Sequence, residues 1–213
     1  MTFAGAECGI ERAGMVQDTG KVKGEAPLIV GIGGATRADS STERLLRHTL
    51  SLCEAKGART LMIGSDGLDL PLYAPEKPER SAAAVALVEA LRRADGIILG
   101  TPGYHAAPSG LIKNALDYAE DLRTDAQPYF DGRAVGCLVT SGGWQAGAAA
   151  LITLRQIIHA LRGWPTPLGV VVNTSEPVFD GASDAPLSPE VRGRLETMAA
   201  QVMGFAAVRH AIP

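Results

Sequence analysis

The chain reads as a doubly wound α/β protein: five parallel strands in the order 2-1-3-4-5, with helices on both faces. Three observations predict this. Short, wholly apolar runs alternate with longer amphipathic stretches from Pro27 onward. The apolar runs lack polar alternation, as strands covered on both faces require. Each run ends at a turn rich in Gly, Pro, Ser or Thr, the punctuation of a parallel-sheet unit.

The first strand is the apolar run 28–32. Ser40, Ser41 and Thr42 then offer N-caps to a helix with Leu45, Leu46, Thr49, Leu50 and Cys53 at a helical period, ended by Gly57. Strand 2 is 60–63, and after a Pro-rich loop the helix 83–93 turns Val85, Val88 and Leu91 inward. Strand 3 is 96–99. It stops at Gly100-Thr101-Pro102-Gly103, and a helix begins near Pro108 with Leu111, Ile112, Ala115 and Leu116 on one side. Strand 4 is 134–139, followed by a helix over 147–161. Strand 5 is 169–172, and Ser188 and Pro189 open the last helix. That helix carries Val191, Leu195, Met198, Val202 and Phe205 on its inner face. In this strand order, ligands bind outside the carboxyl ends of the strands, in the crevice between strands 1 and 3.

Composition narrows the setting. A chain of 213 residues with 46% hydrophobic content supports one packed domain, assigned to 27–213, and residues 1–26 read as a flexible Gly-rich arm. A net charge of −3 gives no sign of nucleic-acid binding, and no apolar run approaches a membrane span. The three cysteines form no CxxC pair or even framework, and the first residues do not resemble a signal peptide, so a cytoplasmic location is expected.

Three loops fall at the carboxyl edge. The first, 33–42, precedes a helix N-terminus, where free N–H groups and the helix dipole favour an anion. Arg37 adds a fixed charge, Ser40 and Thr42 add hydroxyl donors, and Gly34, Ala35 and Ser41 complete the cradle. A phosphate monoester suits it, although the nucleotide P-loop and GxGxxG patterns are both missing. The second loop carries Pro102, Gly103, Tyr104 and His105. Tyr104 offers an aromatic face and the neighbouring amides can bond a polar ring edge, whereas the His105 imidazole reads as a surface group rather than a base. The third loop carries Ser141, Gly142, Gly143 and Trp144, whose glycines admit a close ligand and whose indole can shield a ring. A phosphate cradle beside two ring-binding loops suits FMN.

These residues resemble the NADPH-dependent FMN reductases of the flavodoxin-like superfamily, nearest to the flavin reductases that supply two-component monooxygenases. The resemblance covers about residues 27–205. It rests on Gly34, Arg37, Ser40 and Thr42, on the stretch ADGIILGTPGYHAAPSGLIKNALD from Ala94 to Asp117, and on Ser141-Gly142-Gly143 with Leu154-Arg155. The family often has Ser where Ala35 stands, and Ser or Asn where Thr42 stands.

The resemblance implies a flavodoxin-like fold with FMN as cofactor and NADPH or NADH as donor. It places the FMN phosphate on Arg37, Ser40 and Thr42 and the ring against 102–105 and 141–144. It implies hydride transfer by the flavin itself, without a catalytic side chain or a metal. It also implies a homodimer or homotetramer and a flavin-dependent monooxygenase partner. The alternatives are a quinone, azo or chromate reductase using bound FMN, and an FMN-binding electron carrier.

Overall fold

The computed structural model describes residues 25–181 and 183–211; the N-terminal arm up to residue 24 and its Cys8 lie outside them. In chain order the elements are β1 (Leu28–Gly33), α1 (Ser41–Glu54), β2 (Arg59–Ile63), α2 (Ala82–Arg93), β3 (Gly96–Tyr104), β4 (Ala107–Pro108) and α3 (Gly110–Asp117). There follow β5 (Ala134–Ser141), α4 (Trp144–Ala160), β6 (Trp164–Pro165), β7 (Val170–Asn173) and α5 (Pro189–Ala211). Short 3-10 turns occupy Ser65–Leu68 and Tyr118–Leu122.

The sheet runs β2-β1-β3-β5, with β6 and β7 sharing the far side of β5, and every pairing except the β3–β4 hairpin is parallel. This is the expected 2-1-3-4-5 order with its fifth position split. Pro165, which cannot donate to a ladder, lies in the two-residue edge piece β6. All six residues of β1 and all eight of β5 are buried, as a two-sided cover demands. The cover is two-sided in fact. Leu45, Leu46, Leu195, Met198 and Val202 of α1 and α5 pack on one face, and Leu87, Leu91, Ile112, Leu154 and Ile158 of α2, α3 and α4 on the other.

Three expectations need correction. Val85 is 56% exposed, whereas Val88 and Leu91 are buried as expected, together with Ala84, Leu87 and Ala90. Phe205 sits at the margin of α5, partly exposed against the Trp164 ring. β3 does not stop at Leu99 but continues to Tyr104 and turns back through β4. Cys53 and Cys137 are buried, and burial pushes both thiols up to about 12, which leaves them inert packing groups.

The loop between β2 and α2 is fastened from below. Arg80 grips Asp121 through two N–H bonds of 2.7 and 2.8 Å and lies over the Tyr73 ring. The Arg80 guanidinium holds the Asp121 carboxyl below its ordinary value. A carboxylate depressed in the folded state stabilises above its unfolded pKa and loses that contribution as pH falls. Stability is therefore expected to decline below about pH 5. Arg80→Ala should flatten that acid slope in urea titrations; an unchanged slope would separate the pair from acid sensitivity.

Candidate functional site

The strand register determines which loops meet. Gly33 of β1 lies beside Gly100 of β3, and Gly100 beside Leu138 of β5, so the three carboxyl ends are immediate neighbours. Gly33 has φ +152°, and a Cβ there would fall 2.0 Å from the Gly100 carbonyl oxygen. Only glycine permits this approach, and Gly34 N–H donates to the same carbonyl at 3.3 Å.

The first loop, from Gly34 to Ser40, rises from that crossing. Ser40 is the N-cap of α1, its Oγ accepting from Glu43 N–H at 3.3 Å. The N–H groups of Ser41 and Thr42 have no partner among the described residues, as the start of a helix dictates. Arg37 and Thr36 are exposed, Ala35 is half-buried, and Arg37 makes no ion pair among the described residues. Thr42 lies deeper: its hydroxyl is 2.6 Å from that of Thr140 on β5. Thr42 thus joins the base of the first loop to the base of the third, and its hydroxyl already has a partner.

Sequence reasoning missed the residue that holds this loop. Glu43 is buried. Its two carboxylate oxygens accept from Asp39 N–H at 2.9 Å and Ser65 N–H at 2.6 Å, joining the first loop to the loop after β2. A Cβ at Gly34 or Gly64 would collide with this carboxylate at 2.8 Å. The signal was legible: Ser40-Ser41-Thr42-Glu43 is the S-x-x-E capping box. Here the Glu reaches one residue beyond the usual target, to Asp39, which adopts φ +54°.

The second loop is a β-hairpin. Pro102 and Gly103 lie within β3, and Gly103 and Tyr104 pair with Pro108 and Ala107. His105 and Ala106 form the turn with φ of +50° and +66°. Two consecutive left-handed residues define a type I′ turn, normally Asn-Gly. A His-Ala pair bears strain there, and strain of this kind clusters at functional positions. The turn is held at its base by the buried Thr101 hydroxyl, which accepts from Ser109 N–H at 3.0 Å. On its flank a Cβ at Gly103 would lie 3.1 Å from the Ala150 Cβ of α4. Tyr104 stands 56% exposed, and the His105 side chain points out as an exposed group.

The third loop is shorter than expected. Ser141 ends β5, buried, with its Oγ donating to the Gly143 carbonyl at 2.8 Å. Gly142 borders open space, and α4 begins at Trp144 rather than at Gly147. Gly143 caps α4 without a side chain, so the first N–H groups of this 17-residue helix face the loop unmasked. Trp144 is 59% exposed. The edge therefore presents a polar, Arg-bearing loop, a strained hairpin with a free tyrosine, and a helix N-terminus with a free tryptophan. Among the described residues no helix is long and apolar enough to cross a membrane.

Comparison with known proteins agrees with this architecture. An NADPH azoreductase from Bacillus sp. (strain OY1-2) is 34% identical over 106 residues, 49% of this chain and 56% of that protein. An FMN-dependent NADPH-azoreductase from Staphylococcus aureus is 39% identical over 90 residues, 42% of this chain and 44% of that protein. The chain thus spans about half the length of the curated relatives it matches. Among solved structures, the NAD(P)H:(acceptor) oxidoreductase FerB from Paracoccus denitrificans superposes with a TM-score of 0.70. It shares 19% identity over 86% of this chain and 98% of that one, which is a likeness of fold. Residues 27–176 match the NADPH-dependent FMN reductases, and the chain belongs to that family.

Proposed function

We propose that this protein is an NAD(P)H:FMN oxidoreductase whose flavin site is the crevice between residues 34–42, 102–105 and 141–144. What carries the reading is the 2.6 Å contact between the Thr42 and Thr140 hydroxyls, which ties the first loop to the third across the end of β3. The phosphate is assigned to Arg37, the Ser41 and Thr42 N–H groups and the Ser40 hydroxyl, with Gly34 and Ala35 leaving room for it. The fit is good on charge: an exposed guanidinium and helix N-terminal amides, all without a partner among the described residues, suit a dianion. The nearby Glu43 carboxylate is already neutralised in part by two N–H donors. The ring is assigned to the space bounded by Pro102, Gly103, Tyr104 and His105 on one side and Ser141, Gly142, Gly143 and Trp144 on the other.

Bound flavin supplies the hydride chemistry between nicotinamide and a second acceptor. The chain's part is to hold, orient and shield. Arg37 neutralises phosphate charge, the hairpin peptides and the uncapped amides of α4 offer donors to a polar ring edge, and the two aromatics limit water. No side chain at the crevice is assigned to proton transfer. The physiological acceptor is proposed to be FMN itself, released reduced to a flavin-dependent monooxygenase. The names of the two azoreductase relatives favour a second reading, reduction of an azo compound at bound FMN. We place the protein in the cytoplasm as a homodimer or homotetramer, whose mass light scattering would give.

Anaerobic NADPH should bleach the FMN-loaded protein within minutes; a persistently yellow protein would make it an electron carrier instead. Steady-state NADPH oxidation with FMN, an azo dye or a quinone as acceptor then ranks the readings. Arg37→Ala should weaken FMN binding by about 1.5–3 kcal/mol, the value of a hydrogen bond to a charged group, or roughly 10- to 150-fold in Kd. Unchanged affinity by fluorescence titration would remove Arg37 from the phosphate site.

A further inference from the structure

We propose that the cavity beside Trp144, between the end of β7 and the start of α5, is a recognition subsite for a planar aromatic substrate without anionic groups. This rests on the reading of the neighbouring crevice as the flavin site. The cavity measures about 530 Å³, within the usual range for small-molecule sites. It lies on the same sheet edge as the crevice, one strand further out. Asn173 at the end of β7 pairs in register with Ser141, and Thr174 N–H donates to the Ser141 carbonyl at 2.8 Å. Trp144, assigned above to the crevice, is also part of this cavity's lining.

Most of the cavity lies beyond residue 176, where the family match ends, and is built from a strap of residues 174–181 and 183–187 and the first turns of α5. The strap is held in place. Asp184 binds Arg44 at 3.0 Å and Arg47 at 2.6 Å, Arg44 stacks 3.9 Å from the Phe179 ring centroid, and Leu187 N–H closes back on the Val178 carbonyl at 2.8 Å.

The lining gives the chemical class. Val172, Val178 and Val191, with two prolines, make apolar walls, and the Trp144 face supplies stacking area. Polar groups are few. The Asn173 oxygen accepts from Ser175 N–H at 2.9 Å, which leaves its amide N–H groups without a partner among the described residues. The charged lining residues are Glu176, Glu190 and Arg194; Glu190 is paired with Arg194 at 2.6 Å and Glu176 has no ion pair among the described residues, which leaves the lining net negative by one charge. The unpaired Glu176 carboxylate repels sulfonate, carboxylate and phosphate and accepts neutral or cationic rings. With a quinone as the second substrate, the hydride leaves C4 of the nicotinamide and one proton comes from solvent. Both quinone C=O groups become C–OH, and the nicotinamide is oxidised.

The probes are menadione, which is neutral, and 1,2-naphthoquinone-4-sulfonate. Calorimetry of the full-length, FMN-loaded protein without NADPH should show menadione binding and at least tenfold weaker binding of the sulfonate. Val191→Phe, which fills the cavity, should raise Kd and KM for menadione at least fivefold while leaving ferricyanide reduction by NADPH unchanged. Glu176→Lys, at an exposed position, should raise kcat/KM for the sulfonate about tenfold. Equal affinity for the two quinones, or a Val191→Phe protein that binds menadione as the parent does, overturns the subsite. Loss of NADPH-to-ferricyanide activity in the parent would instead overturn the flavin reading, while menadione calorimetry on flavin-free protein still tests the cavity.

Discussion

Gly33→Ala is expected to destabilise the fold by about 3 kcal/mol or more, combining steric overpacking with a backbone conformation unfavourable to L-residues. The added Cβ would stand 2.0 Å from a carbonyl oxygen, and the obstacle is backbone, not a side chain able to rotate away. Relief requires β1 and β3 to part at their carboxyl ends, where the three loops converge. Flavin affinity should therefore fall together with the urea midpoint. A variant within about 1 kcal/mol of the parent would mean that the strand ends are softer than the Gly33–Gly100 crossing indicates. Gly142 serves as the contrast: it borders open space, so Gly142→Ala should leave stability nearly unchanged.

Glu43→Ala is the second large effect. It removes a charged acceptor from two backbone N–H groups in different loops, each bond being worth about 1.5–3 kcal/mol, so a loss of roughly 3–6 kcal/mol is expected. Glu43→Gln retains the shape but only one acceptor oxygen and should fall between the parent and Ala. The loop 34–40 then loses its tie to Ser65, and FMN affinity should drop although Glu43 is assigned no contact with the cofactor. Urea denaturation and flavin titration of both variants test this. Stability of Glu43→Ala within 1 kcal/mol of the parent would refute the bridge.

The β/α alternation was plain in the sequence because the strands are mostly apolar and most of the helices open on a Ser cap. Ser40, Ser81, Ser109 and Ser188 all cap helices in the structure. The hairpin 103–108 was not legible, because its turn pair is His-Ala instead of the Asn-Gly that announces a type I′ turn. β6 was hidden for a similar reason: two residues, one of them proline, carry no strand pattern. On α2 only Val85 was misplaced, because Ala84 and Leu87 complete the buried stripe with Val88 and Leu91.

At the candidate site the residue types were legible and their deployment was not. Arg37, Tyr104 and Trp144 stand free at the edge, as short polar and glycine loops after buried strands imply. Thr42 was expected as a free donor, yet its hydroxyl meets Thr140, 98 positions away. Glu43 carried a capping signature whose real partner, Ser65, comes from another loop. The cavity beside Trp144 depends on a strap held by Asp184 to arginines about 140 residues earlier.

By itself the sequence determined the layered α/β architecture and the identity of the loops that follow the strands' carboxyl ends. Those properties follow from local hydrophobic period, caps and turns, which act over a few residues. The tertiary structure alone decided that the Thr42 hydroxyl is already partnered, that the Glu43 carboxylate is buried as a bridge, and that a cavity forms beside Trp144. Those depend on strand register and on contacts between distant segments, as at Gly33, where an added Cβ would stand 2.0 Å from the Gly100 carbonyl oxygen.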